Sequence, residues 1–483
     1  MQSGGGWANI WVGIISLAGP KITGNRDRRI SKQIQSRGIF YISHNPEAGR
    51  LRRLESDPSA WVSPMSRKRT MEPGWLDERR SCFTLRHLWR STTLWLLLSF
   101  SLAWYMCFRY CAIASARDPT TYFFDEKKGY QRSYSIEREK QAYAYLGNLN
   151  HTDSSGPPHS ENPSMCIGVA TVARPSKEQY VRGTVGSLLE GLSDAERAKI
   201  YLILFIAHTD PSVHPVYHEP WLKAVSNRVL TYDVSNTDSA QLRLFEENYH
   251  PRNKSMYDYG YLLSNCLKTG AEWITVVEDD VIAREGWYNL AMSSLRKIQD
   301  QVGDVNWLYM RMFYTEALLG WNSEEWPRYL GWSILLFVVL LSALIGSRAR
   351  LPLLRRHISN FHVAVICCCF LPAFISLYFM AGRVTMQPPP AGVRLMSRFG
   401  CCSQGFIFPR KIVPQVIERI NKAIYEDYYI DMLLERYADT EDLARFAHFP
   451  SLLQHVGTRS SKGWGYDEHA GEIWNFEFET FSP

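Results

Sequence analysis

Residues 329–346, YLGWSILLFVVLLSALIG, hold no charged side chain, and residues 361–382, FHVAVICCCFLPAFISLYFMAG, hold none either. Few folds accommodate such runs away from a bilayer. As a helix the first rises about 27 Å, enough to cross the hydrocarbon core. The second contains Pro372, which a spanning helix tolerates where a neighbour satisfies the freed backbone group. A third apolar run covers residues 92–114 and is interrupted only by Arg109, which can snorkel to an interface. The chain is therefore expected to cross a membrane three times.

Charge orients these segments. Residues 1–90 carry 16 Lys/Arg against 7 Asp/Glu, whereas the remaining 393 residues carry 38 against 41. The 14-residue link at 347–360 contains Arg348, Arg350, Arg355 and Arg356 and no acid. Basic loops stay on the cytosolic side. The expected organisation is a basic cytosolic tail (1–91), a first span (92–114), a luminal stem (115–164) and the first part of a folded body (165–328). A second span (329–346), a basic cytosolic loop (347–360), a third span (361–382) and the rest of the body (383–483) follow. The body carries no excess of positive charge, so nucleic acid is not an expected partner, while membrane lipid is.

The body reads as α/β. MCIGVATVA (165–173), KIYLILFIAH (199–208), RVLTYDV (228–234), WITVVEDDV (273–281) and NWLYMRMF (306–313) are apolar strand candidates alternating with helical patterns at 180–192, 257–269 and 287–300. Such alternation predicts a parallel sheet covered on both faces, with ligands beyond the strands' carboxyl ends. No G-x-G-x-x-G, G-K-[ST], G-x-S-x-G or C-x-x-C motif occurs, so dinucleotide, P-loop, serine-hydrolase and zinc-ribbon chemistry lack support. Of ten cysteines, Cys166, Cys266, Cys401 and Cys402 fall on the expected luminal side, where three pairings are open. Asn150-His-Thr152 and Asn253-Lys-Ser255 are glycosylation sequons.

Four segments carry candidate chemistry. Glu278, Asp279 and Asp280 end a buried strand, and three carboxylates there call for a hard cation such as Mn²⁺ or Mg²⁺ with diphosphate oxygens. Strand alternation would aim Glu278 and Asp280 into one cleft and Asp279 elsewhere, unless Asp279 bends into the turn. In LLQHVGTRSSK (452–462), His455 can complete a metal shell, and Arg459, Ser460 and Lys462 can hold phosphate. Thr171, Val172 and Arg174 follow the first strand, where a nucleotide would lie. Glu426, Asp427 and Asp431 precede or open a helix and are candidates for a general base.

These segments together resemble the metal-dependent glycosyltransferases of GT-A fold. I-G-V-A-T-V-A-R, K-x-x-x-D-Y (254–259), E-D-D-V (278–281), I-D-x-L-L (430–434) and Q-H-V-G-T-x-S-S (454–461) are similar in kind and order to the N-acetylglucosaminyltransferase IV group. With an apolar hairpin inside the body, the chain more closely resembles the Golgi GPI-anchor N-acetylgalactosaminyltransferase family. That resemblance implies a GT-A-type nucleotide-sugar-binding domain interrupted by a transmembrane hairpin, plus an N-terminal span, in the Golgi membrane. It implies inverting transfer of GalNAc, β1,4-linked, from a UDP-sugar to the GPI core mannose. Asp280 would ligate the metal, His455 would complete the metal or diphosphate contact, Glu278 would touch ribose or sugar, and Asp279 would do either. Thr171, Val172, Arg174, Lys254 and Asp258 would line the nucleotide pocket, and Asp431 would be the base ahead of Asp427 and Glu426. The competing readings are an N-glycan UDP-GlcNAc transferase and a non-catalytic membrane scaffold with a cation-binding cleft.

Overall fold

The computed structural model describes residues 91–149, 162–233, 239–247, 250–302, 306–396, 401–426, 428–459 and 473–481. The basic tail through residue 90, the Asn150 sequon, Asp427, Ser460 and Lys462 lie outside the described residues. Among the described residues three helices are long and apolar enough to cross a membrane: Thr92–Ala114, a helical stretch Glu316–Arg350, and Asn360–Met380. The last contains a π-helical turn at Ile366–Phe370, immediately before Pro372, whose missing N–H breaks the regular ladder. The indole Nε1 of Trp104, on the first apolar helix, donates to Ala373 O on the third at 3.2 Å, and Tyr122 N, beyond the first helix, donates to Met380 O at 2.8 Å. Just beyond them the buried Asp118 carboxylate accepts from Thr120 N at 2.8 Å and Thr385 N at 3.0 Å.

The body is mixed α/β. Its strands are β1 (Met165–Thr171), β2 (Ile200–Ile206), β3 (Arg228–Leu230), β4 (Trp273–Glu278), β5 (Val281–Ala283), β6 (Trp307–Arg311), β7 (Gly392–Leu395), β8 (Gly405–Pro409), β9 (Ala444–Phe449) and β10 (Leu453–His455). Eight form one sheet in the order β3-β2-β1-β4-β8-β6-β9-β7, and β10 pairs with β5 in a separate ribbon. Strand β8, from beyond the apolar hairpin, lies between β4 and β6 from before it, so both halves of the chain build one sheet.

The expectation of a parallel sheet holds only in part. β1 runs parallel to β2 and β4, and β6 to β9, but β8 is antiparallel to both β4 and β6, and β7 to β9. A continuous apolar run reports burial on both faces and carries no information about strand direction. The strands are also shorter than the apolar runs that mark them.

Helices cover both faces. The helix Pro251–Leu267 lies on β1 because Gly168 has no side chain: a Cβ there would stand 2.7 Å from Leu262 Cγ. A disulfide between Cys166 and Cys266 ties the same strand to the same helix, and a second joins the neighbours Cys401 and Cys402. Of the three open pairings, this one is adopted.

Candidate functional site

Strand β4 stops at Glu278, Asp279 and Asp280 form a turn, and β5 begins at Val281. Thr184, on the helix Val181–Leu189, fastens this turn by donating to Asp279 O at 2.7 Å and accepting from Val281 N at 3.1 Å. Because the strand has ended, its two-residue alternation does not extend through the acids, and of the two positions expected for Asp279 the bend into the turn is the one adopted. Asp279 and Asp280 both reach Arg174. Its guanidinium donates to Asp279 Oδ2 at 2.8 Å and Oδ1 at 2.6 Å, and to Asp280 Oδ2 at 3.2 Å. Arg174 is 5% exposed, and burial disfavours its charge, but Asp279 outweighs burial and raises its pKa. The fork geometry accounts for an arginine here, since a lysine could not hold three oxygens in one plane.

β10 delivers the other half. Its pairing sets His455 opposite Val281, and the imidazole Nε2 stands 3.6 Å from Asp280 Oδ2. The other ring nitrogen, Nδ1, meets Ile473 O at 3.1 Å, which fixes the ring and leaves Nε2 facing the acid. Burial opposes ionisation of Asp280, yet His455 first and Arg174 second hold its carboxyl well below the usual carboxylate range. Burial likewise depresses the imidazole, and Asp280 reverses this and raises it.

Asp280 and His455 are the residues that could hold a divalent cation. Asp280 Oδ1 is buried and has no hydrogen-bond partner, an orphaned acceptor of the sort that a cation completes. Among the described residues no group of three or more His, Cys, Asp or Glu is gathered for a metal. The protein would thus supply two donors, Asp280 and His455, and phosphate or water the others, as hard cations accept.

The remaining expected residues fall into several places. Thr171, at the end of β1, donates its hydroxyl to Asp279 Oδ2 at 2.6 Å, and Val172 is the half-buried residue after it. Lys254 and Asp258 are brought to each other and enclosed: the ammonium donates to Asp258 Oδ2 at 2.9 Å, Tyr232 Oη at 2.7 Å and Ala207 O at 2.8 Å. Arg459 accepts at its carbonyl from Arg174 Nε at 3.2 Å, and its own Nε is 3.7 Å from Glu178. Glu278 accepts from Ser403 Oγ. Asp431 opens the helix Ile430–Thr440 and accepts from Cys402 N at 2.9 Å. Glu426 is exposed beyond the helix Val413–Ala423.

Sequence reasoning missed His214, which is fully buried. Val216 N donates to its Nδ1 at 3.3 Å, so the neutral ring carries its proton on Nε2, 3.0 Å from Thr171 Oγ1. Thr171 is then free to donate to Asp279. Burial, and next His208, lower the His214 pKa to about 4. The unfolded chain binds this proton at an ordinary imidazole value, so folding stability is complete above about pH 6.5 and declines as pH falls toward 4. His214→Gln is expected to flatten that acid limb of the melting temperature measured between pH 7.5 and 4.5. An unchanged slope would exclude His214 as its source. No motif marks this histidine, because its partners come from β1 and the acidic turn.

The family model described as GPI-N-acetylgalactosamine transferase PGAP4 matches residues 165–454. A curated relative, the alpha-1,3-mannosyl-glycoprotein 4-beta-N-acetylglucosaminyltransferase A of Xenopus tropicalis, is 23% identical over 217 residues, which is 40% of this chain and 39% of that protein. The chain thus spans about two fifths of that relative's length.

Proposed function

This chain belongs to the GPI-N-acetylgalactosamine transferase family, whose model covers more than half of it, and from that premise we propose that it is a Golgi membrane enzyme of GT-A architecture. It moves GalNAc from UDP-GalNAc to the core mannose of a GPI glycan with inversion at the anomeric carbon. One observation carries the reading. Asp280 and His455 come from opposite sides of the apolar hairpin, meet at 3.6 Å and leave an oxygen of Asp280 without a partner.

In this reading Asp280 and His455 hold Mn²⁺ or Mg²⁺. When bound, the cation offsets diphosphate charge and the charge that grows on departing UDP. Arg174 keeps the turn from splaying by pairing with both aspartates. Thr171 and Val172 line the nucleotide side, Lys254 and Asp258 brace its wall through Tyr232, and Glu278 contacts the sugar or ribose. Arg459, Ser460 and Lys462 are the residues proposed to bind the diphosphate. Asp431 accepts the proton of the mannose hydroxyl as that oxygen attacks in line with the departing diphosphate, which is what inversion requires. The body lies on the luminal side, a reading supported by the basic flanks of the apolar segments, and the hairpin within it keeps the cleft near the membrane surface, where a glycolipid's mannose lies, raising its effective concentration.

The test is the full-length chain in detergent with Mn²⁺, a panel of UDP-GalNAc, UDP-GlcNAc and UDP-Gal, and two acceptors, a GPI-core mannoside lipid and a soluble N-glycan. Transfer of GalNAc to the lipid mannoside is the expected result. Transfer of GlcNAc to the soluble glycan alone would replace this reading with the N-glycan one. No consumption of any donor would favour a scaffold.

A further inference from the structure

The residues 401–404 join the two carboxylates to which the transferase reading gives different tasks. On one side, Ser403 Oγ donates to Glu278 and Gln404 O accepts from Glu278 N at 3.1 Å. On the other, Cys402 N donates to Asp431 Oδ2 at 2.9 Å. One short segment thus touches the acid beside the donor cleft and the acid at the head of the helix Ile430–Thr440. Its backbone is unusual: Cys402 has φ 86°, a region that residues with a Cβ seldom occupy unless their surroundings impose it.

Two features impose it. The Cys401–Cys402 disulfide closes the turn covalently. Arg311 grips it from below, donating through Nη1 to the carbonyls of both Cys401 and Cys402. Arg311 is completely buried. Its other terminal nitrogen donates to Glu435 Oε1 at 2.6 Å, and Glu435 lies on the helix that carries Asp431. A buried cation is retained only where its partners are well aligned, and here those partners are the two carbonyls of the turn, Tyr309 Oη at 3.2 Å and an acid of the Asp431 helix. The transferase chemistry makes no use of Arg311, and stability alone does not require that it bind both elements at once.

We infer that the disulfide-closed segment 401–404, held by Arg311, is a positioning element that fixes Asp431 relative to Glu278. In this role Arg311 and the two cysteines act through the two acids. The inference rests on the transferase reading for what the acids do, but the coupling between them is a physical property that can be measured without turnover.

The experiment compares the full-length chain in detergent with two variants, Cys401→Ser/Cys402→Ser and Arg311→Lys. The first opens the turn while preserving shape, and the second keeps charge but loses the planar fork. Hydrogen exchange followed by mass spectrometry should show faster exchange in both variants at peptides covering 278–280 and 430–434, about tenfold or more, with the β1 peptide around Cys166 unchanged. In the same samples kcat for GalNAc transfer should fall about a hundredfold, the scale on which a displacement near 1 Å is felt, and in the serine pair the melting temperature should change little. A stabilising role alone would lower the melting temperature and leave kcat intact below it. Unchanged exchange at both peptides, or loosening at only one, would overturn the coupling. Loosening of both in a chain that turns over no UDP-sugar would leave the coupling standing and remove the transferase reading instead. Should Arg311→Lys fail to fold, the serine pair decides the matter.

Discussion

Asp280→Asn is expected to lower sugar transfer by about a thousandfold or more while leaving the chain folded. The carboxylate has two duties that an amide cannot perform. It supplies the negative charge that answers Arg174 at 3.2 Å and His455 at 3.6 Å, and in the transferase reading its unpartnered oxygen binds the cation. Loss of a group that stabilises charge on the departing diphosphate is worth several kcal/mol at the transition state. Folding suffers less, because Arg174 keeps its two bonds to Asp279 and asparagine preserves shape. A decrease of about 1–3 kcal/mol is expected from the partner left uncompensated. Two measurements separate the effects. Donor hydrolysis reports the chemistry, and the rise in melting temperature on adding Mn²⁺ with UDP reports the site. The wild-type chain should show both and the variant neither. A variant retaining a tenth of wild-type turnover would remove Asp280 from the centre of the account.

Legibility of the structure in the sequence followed physical cause. β1, β2, β4 and β6 were readable because strands buried on both faces must be continuously apolar, as Ile167, Leu204, Val276 and Leu308 illustrate. The direction of β8 was not readable. GFIFP is equally apolar whichever way it runs, and its antiparallel pairing is set by where the chain re-enters after the third apolar helix. The acidic turn was recognisable from Glu278-Asp279-Asp280, but its geometry was not, because alternation stops where the strand stops. That His455 would meet Asp280 was suggested only by motif order. The contact is made by the β5–β10 ribbon, whose strands are separated by about 170 residues and have three residues each. His214, Arg311 and Ser403 left no local trace, since each acquires its role from partners distant in sequence. Lys254 and Asp258 formed a recognisable pattern, and folding turned them toward each other inside the molecule.

The same limit governs Gly457, whose importance depends on a side chain 177 positions earlier. A Cβ at Gly457 would stand 2.3 Å from Asp280 Oδ2 and 2.8 Å from its Cγ. The backbone there does not occupy a glycine-only conformation, so the barrier to alanine is steric rather than torsional. Asp280 has little room to yield: Arg174 holds the same oxygen at 3.2 Å and His455 faces it at 3.6 Å, and retreat from the new methyl breaks one contact or the other. Gly457→Ala is therefore expected to reduce kcat about a hundredfold, the penalty for a reacting constellation displaced by about an ångström, with a stability loss of about 1–3 kcal/mol from overpacking. A double-mutant cycle isolates the cause. In an Asp280→Ala background the clashing Oδ2 and Cγ are gone and only the Asp280 Cβ, 3.1 Å away, remains, so the stability penalty of Gly457→Ala should shrink by more than the spread expected of independent sites. If the two penalties simply add, the methyl acts elsewhere and the glycine is not what allows the carboxylate to reach His455.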